Sequence, residues 1–191
     1  MSQAAETFGQ RRFTVEEYHR LAETGIFKPG ERVELIRGVV RRMSPKNYAH
    51  VVAAAKIFRR LTNALAERAG LYSEAPLKLV GLDSEPEPDI VATSSPVLED
   101  YGQSEPLLVV EISESSLHHD LNTKSRLYAD AGVPEYWVVN LVDRELVVFR
   151  SPLECGYRDR TTYEPGDHIT PAAWPDVVIE VSELFPGEEQ G

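Results

Sequence analysis

The spacing of apolar residues changes period several times along the chain, and each change predicts an element. In "TVEEYHRLAETG", Val15, Tyr18, Leu21 and Ala22 recur at helical spacing, so one face is apolar. Thr14 and Glu17 form a capping box, and Gly25 stands where a helix commonly ends. "RVELIRGVVRRM" alternates and is rich in β-branched residues, which predicts a strand or a hairpin turning near Gly38. "SPKNYAHVVAAAKIFRRLTNALAERAG" returns to helical spacing. Ser44 is the expected N-cap with Pro45 at N1, Gly70 the expected end, and Val51, Ala54, Phe58, Leu61 and Leu65 the expected core stripe.

Strand signals dominate the rest. "EAPLKLVG" and "EPDIVATS" read as a hairpin around "LDSEPE". "LLVVEIS" is almost wholly apolar up to Glu111, the pattern of a central strand buried on both faces. "SLHHDLNTKSRLYADAG" is a helix closed by Gly132, and "EYWVVN" and "ELVVFR" are strands around the turn "LVDR". Short strands follow, with turns at Pro165-Gly166 and Pro175-Asp176. The order predicts an α/β or α+β fold, a mixed central sheet flanked by helices with extra strands toward both termini.

Composition narrows this little. With 42% hydrophobic and 27% charged residues, the 191-residue chain suits one globular domain, taken as residues 1–191. No apolar run approaches the roughly 20 residues of a membrane span. The first residues lack the apolar segment of a signal peptide, and Cys155 has no cysteine to pair with. A cytoplasmic protein without a membrane partner is the expectation. The net charge of −11 argues against a protein that coats nucleic acid, though not against an enzyme with a local basic patch.

The chemistry begins at Glu111. Strand alternation places it on one face with Leu107, Val109 and Ser113, where an unpaired carboxylate would cost several kcal/mol or a large pKa shift. Lys124 is one candidate partner. On a 100° wheel it falls amid Leu117, Leu121, Tyr128 and Ala131, so it faces the sheet rather than solvent. Asp120, one turn earlier, could pair with it. From this pair alone, a structural ion pair and half an active site are equally well served. The other candidate is a metal. "EPEPDIV" starts a strand at Asp89, and if that strand lies beside "LLVVEIS" the two carboxylates converge. Carboxylates, a carbonyl and waters are ligands Mg²⁺ accepts, and the ion would polarise a phosphoryl oxygen and acidify a bound water. Lys124 would then orient that water or stabilise charge on phosphate.

Pro-Asp, then a buried strand ending in a carboxylate, then an inward lysine, resembles the PD-(D/E)-x-K nuclease superfamily, the restriction-endonuclease-like fold. The strand reads Glu111-Ile112-Ser113, so serine stands where that motif has lysine, and Lys124 would be the migrated lysine known in the superfamily. More narrowly, "ELIRGVV", "MSP", the following His50, "EPDIV", "LVVEISESS", "YADAGVPEYWVVN" and the late "Y-x-PGD" resemble the Uma-type restriction-endonuclease family, long carried as a domain of unknown function. The likeness spans residues 14–185, leaving short flexible termini. It implies a metal-dependent endonuclease acting on DNA, with Mg²⁺ or Mn²⁺ held by Asp89, Glu111 and Glu34. His50 matches the pattern too, and could bond substrate phosphate or an active-site carboxylate, or be satisfied by a backbone group. Cutting both strands of a duplex calls for two sites, hence a homodimer or higher homo-oligomer.

Other features invite weaker readings. Asp176 and Glu180 repeat the Pro-Asp pattern without an inward lysine and read as a turn and a peripheral strand. His118-His119 are adjacent on a helix and diverge by about 100°. Arg41-Arg42 and Arg59-Arg60 could touch phosphates, and read first as ordinary exposed arginines. The alternative to an enzyme is a nuclease-fold interaction module with a weak or unused metal site. An enzyme acting on a small phosphorylated substrate ranks below both, because no glycine-rich phosphate loop is present.

Overall fold

The computed structural model describes residues 10–187, with Ala66 described in its backbone only. The ends expected to be flexible fall largely outside the described residues. The chain divides into two compact units, Met1–Met43 with Lys78–Pro86, and Ser44–Leu77 with Glu87–Gly191.

The smaller unit contains α1 (Val15–Glu23) and the antiparallel strands β1 (Val33–Ile36) and β2 (Val39–Arg42). The expected capping box forms, with Thr14 and Glu17 satisfying each other's backbone N–H groups. The hairpin turns at Arg37 and Gly38, both at positive φ, as a two-residue turn matched to strand twist requires. A Cβ on Gly38 would stand 2.6 Å from the Arg12 Cβ, so glycine is also demanded by close packing. Val15, Tyr18 and Leu35 form the unit's small core. The second segment of this unit adds Glu85, whose backbone pairs with Leu35 and whose carboxylate accepts from His19.

The larger unit is built on a six-stranded mixed sheet. Its strands are β3 (Gly70–Ser73), β4 (Ile90–Thr93), β5 (Pro106–Ser113), β6 (Glu135–Asn140), β7 (Glu145–Leu153) and β8 (Gly156–Tyr163), in that spatial order. Only β5 and β6 run parallel. A parallel pair needs a crossover, supplied by α3 (Leu117–His119), a π-helical turn (Asp120–Lys124) and α4 (Ser125–Asp130). Leu108, Val110 and Ile112 of β5 enter a core with Ala53, Ile57, Leu61 and Leu65 of α2 (Tyr48–Leu65). The alternate residues Val109, Glu111 and Ser113 point to the other face. On that face Tyr128 of α4 packs against Tyr136 of β6, with ring centroids 4.9 Å apart. Strands β9 (His168–Ile169) and β10 (Ile179–Glu180) pair with each other near the C-terminus. This is the α/β fold the pattern predicts, a mixed sheet flanked by helices.

Three local expectations are corrected. α2 begins at Tyr48 rather than Pro45, because the Asn47 side chain, not Ser44, accepts the His50 N–H. Its buried stripe is Ala53, Ile57, Leu61 and Leu65, while Val51 is 54% exposed. "EAPLKLVG" forms no strand, and the partner of β4 is "GLYS", directly after the helix. The chain passes into the smaller unit at Lys78, so a ladder cannot continue there.

Candidate functional site

Two groups of buried polar side chains meet at the β4–β5 pair of the larger unit. The first surrounds Glu111, near the C-terminal end of β5. Lys124 Nζ donates to its Oε1 at 2.8 Å, and the Tyr128 hydroxyl donates to the same oxygen at 2.8 Å. Glu111 and Lys124 are each 4% exposed, so the pair is shielded from solvent. The inward direction read from the wheel is therefore correct. It is achieved through a π-helical turn, whose wider i to i+5 winding departs from the regular helix. Tyr128 was expected only as core. Its place one turn beyond Lys124 on the same stripe was the signal that it could reach Glu111.

Two residues beyond Glu111, the Ser113 hydroxyl donates to Asp120 Oδ2 at 2.6 Å, as does the Ser116 hydroxyl. Burial raises the Asp120 pKa, against the opposing charge of Lys124 and these hydrogen bonds. Serine in the usual lysine position thus ties β5 to the helix that carries Lys124.

The second group surrounds Asp89, immediately before β4. The register Ile90↔Val110 places Asp89 across from Glu111 on the neighbouring strand. Asp89 Oδ2 accepts the Ile112 backbone N–H at 2.8 Å, where the β4 backbone has ended. Its Oδ1 accepts from His50 Nε2 at 2.8 Å and from Lys46 Nζ at 2.7 Å. Burial opposes ionisation of Asp89, yet the hydrogen bond and charge of His50, with the charge of Lys46, hold its pKa below the usual carboxylate range. Of the open readings for His50, contact with this carboxylate is the one the fold adopts. Lys46 also bridges to Glu74 at 3.1 Å, and the Asn47 amide donates to Glu114. Lys46 was missed because the helix was expected to start at Ser44, which put it on a solvated first turn. The late start leaves residues 44–47 outside the helix, with Lys46 at Asp89.

Glu34 lies in the smaller unit on β1, opposite Arg41 in register, and is 5% exposed. The decoys take structural partners. Asp176 is held by both terminal nitrogens of Arg68 at 2.8 Å, Arg60 bonds Glu183 at 2.7 Å, and Arg42 bonds Glu31 at 2.8 Å.

Asp89 and Glu111 offer hard oxygen donors from adjacent strands, the chemistry a divalent cation of the Mg²⁺ class takes. In this conformation the Asp89 oxygens hold Lys46, His50 and a backbone N–H instead. Among the described residues no group of three or more His, Cys, Asp or Glu side chains is gathered to hold a metal. The donor types fit the ion, and Lys46 stands where it would have to withdraw.

The energetic weight of the first group can be read from Tyr128. Hydrogen bonds to buried charged groups contribute about 1.5–3 kcal/mol. Tyr128→Phe should lower unfolding free energy in urea by about 2 kcal/mol, a figure set by that range. A change below about 0.5 kcal/mol would mean the hydroxyl does not carry Glu111, since surface substitutions stay within that band.

The sequence model of the Uma2 family, described as "Putative restriction endonuclease", matches residues 15–182. No curated protein matches the chain. Among solved structures, a protein from Anabaena variabilis ATCC 29413, described as "a putative nuclease belonging to DUF820", superposes with a TM-score of 0.69. The two are 16% identical over 91% of this chain and 97% of that one, a likeness of fold. Among the described residues no helix is long and apolar enough to cross a membrane.

Proposed function

The chain belongs to the Uma2 family, and from that premise we propose that it is an endonuclease that hydrolyses phosphodiester bonds in DNA with Mg²⁺ or Mn²⁺. The observation that carries this is the pairing of Asp89 and Glu111 across adjacent strands, with the Lys124 ammonium 2.8 Å from Glu111 in a buried setting. Asp89 and Glu111 would hold the ion. The bound ion would supply Lewis acidity toward a phosphoryl oxygen and a more acidic water. His50 keeps Asp89 ionised and fixed. Lys124 holds the Glu111 carboxylate in place and would present a positive charge where phosphate charge develops. Two-fold assembly remains part of the proposal because a duplex has two strands to cut.

The test is cleavage of supercoiled and linear duplex DNA by the purified protein with Mg²⁺, Mn²⁺ or EDTA, beside calorimetric titration of each ion. Metal-dependent cleavage supports the assignment. No cleavage, together with no binding at millimolar metal, overturns it in favour of a nuclease-fold interaction module. One observation favours that second reading: both Asp89 oxygens are already engaged by protein donors.

The same contacts give a prediction about metal affinity. A lysine ammonium and a divalent ion cannot share Asp89 Oδ1, so Lys46 competes with the ion. At an effective dielectric near 20, two unit charges 4 Å apart interact by about 4 kcal/mol, so even partial relief is measurable. Lys46→Met should tighten Mn²⁺ binding by about tenfold in calorimetry, equal to about 1.4 kcal/mol. Unchanged or weaker binding would show that Lys46 supports the metal-bound state instead.

A further inference from the structure

The charge of this chain is divided unevenly. Residues Met1–Met43 with Lys78–Pro86 hold nine Lys and Arg against eight Asp and Glu, a net +1. The remaining residues hold eleven against twenty-three, a net −12, and together these make the total of −11. The acidic total thus hides a smaller unit in which cations hold the surface. Its Arg11, Arg12, Arg20, Lys28, Arg41, Arg42 and Lys78 are exposed, against exposed Glu16, Glu23 and Asp83, whereas Glu34 is buried and Glu17, Glu31 and Glu85 are partly covered.

Within that unit lies a concavity of about 340 Å³ lined by Lys28, Pro29, Gly30, Glu31, Arg32, Arg42 and Met43. Three of its side chains are cations and one is a carboxylate. Its walls are fixed by backbone. The Glu31 N–H bonds the Lys28 carbonyl at 2.9 Å across Pro29 and Gly30, with Gly30 at φ +79, the pattern of a type II turn. The opposite wall is the open end of the hairpin, where Val33 pairs with Arg42 and the Met43 N–H bonds the Arg32 carbonyl at 3.1 Å. The single carboxylate is turned inward on its own unit. Glu31 accepts from Arg42 Nε at 2.8 Å and from the Lys28 N–H at 3.0 Å, and its side chain is 19% exposed against 76% for Arg42. The bond at Nε leaves the terminal nitrogens of Arg42 as further donors, and the Lys28 side chain faces solvent.

We propose that this concavity is a phosphate-binding site that seats the backbone of duplex DNA. Arginine and lysine on a fixed turn and strand end present the forked and point donors that phosphodiester oxygens accept. The net −12 of the larger unit would repel a polyanion, which leaves the smaller unit as the face where approach is favourable. The inference rests on the nucleic-acid substrate proposed above but not on hydrolysis. DNA binding through this site without cleavage would leave it standing while the nuclease assignment fails.

The test is fluorescence anisotropy with a labelled duplex of about 20 base pairs in EDTA, over a series of salt concentrations. Each phosphate contact contributes about 0.9 to the slope of log affinity against log salt. Lys28→Gln with Arg42→Gln should weaken binding about tenfold and reduce that slope by nearly two, in keeping with two lost contacts. Glu31→Gln should tighten binding, because it removes the one carboxylate from the lining. A double variant that melts like the wild type yet binds with unchanged affinity and slope overturns the proposal. So does a Glu31→Gln protein that melts like the wild type and binds more weakly. Tight calorimetric binding of inorganic pyrophosphate at the concavity, with duplex affinity untouched by the double variant, would overturn it in favour of a small phosphate ligand.

Discussion

Lys124→Met should destabilise the protein by about 3–5 kcal/mol in urea unfolding, the cost of stranding one partner of a buried ion pair. Glu111 would retain the Tyr128 hydroxyl as donor but lose its counter-charge at 2.8 Å in a site only 4% exposed. The carboxylate would respond by protonating, so the deficit should shrink as pH falls. A group whose folded pKa is raised above its unfolded value binds the extra proton only in the folded state, so stability is regained on acidification. Glu111→Gln combined with Lys124→Met removes both charges and should recover most of the loss, because replacing a whole buried pair is far cheaper than halving it. Cleavage tests the pair as a unit. A double variant that is stable and inactive places the pair in the chemistry, through Glu111 as ligand or Lys124 at the phosphate. A double variant that is stable and active makes the pair only a brace, and both residues leave the site.

The brace and the site share atoms because the crossover helix does two jobs. It covers one face of β5, and it carries Lys124 and Tyr128 to a single carboxylate oxygen. Asp120 on the same π-helical turn is anchored by Ser113 and Ser116, and its carbonyl accepts from the Tyr136 hydroxyl at 3.2 Å. The widened turn is therefore pinned at its first residue to both central strands. Lys124 leaves its last residue already aimed, so little conformational entropy opposes the contact.

Glu111 and Lys124 were legible because both break a rule of burial: a charge amid apolar strand residues, and a lysine inside a helical stripe. Asp89 was legible through Pro88, which marks a strand start. The β4–β5 pairing that joins them was only a condition in the sequence, and the register Ile90↔Val110 supplies it. What the sequence concealed has local causes. "VVAAA" at Val51–Ala55 is apolar all round, so the α2 wheel could be turned by one residue without penalty, and the buried position proved to be Ala53 rather than Ala54. Ser44-Pro45 is as good a helix start as Asn47, and choosing it hid Lys46. β3 follows the helix with scarcely a linker, so Gly70 reads as the helix end and the three residues after it carry no strand signal of their own. Placing Glu34 relied on family likeness, since nothing in its own spacing distinguishes a site residue from an ordinary strand carboxylate.

Asp89→Asn should abolish metal-dependent cleavage, a loss of roughly a thousandfold or more if removing a principal charge-stabilising group behaves as such removals commonly do. The substitution keeps the shape, but its single amide oxygen can accept from the Ile112 N–H or from Lys46, not from both. It removes the negative charge that Lys46 and the His50 ring face, so the Lys46 ammonium would sit beside a neutral amide. Stability should fall by about 1–3 kcal/mol, the range for a buried polar partner left partly unsatisfied. Metal affinity should fall with activity, and calorimetry reads that directly. The decisive comparison is with Lys46→Met. If the ion binds Asp89, that substitution strengthens metal binding and Asp89→Asn weakens it, although both disturb one 2.7 Å contact. If the contact is purely structural, both variants lose stability together and metal affinity follows neither. Opposite signs from the two ends of one hydrogen bond would identify Asp89 as the ligand and Lys46 as its internal competitor.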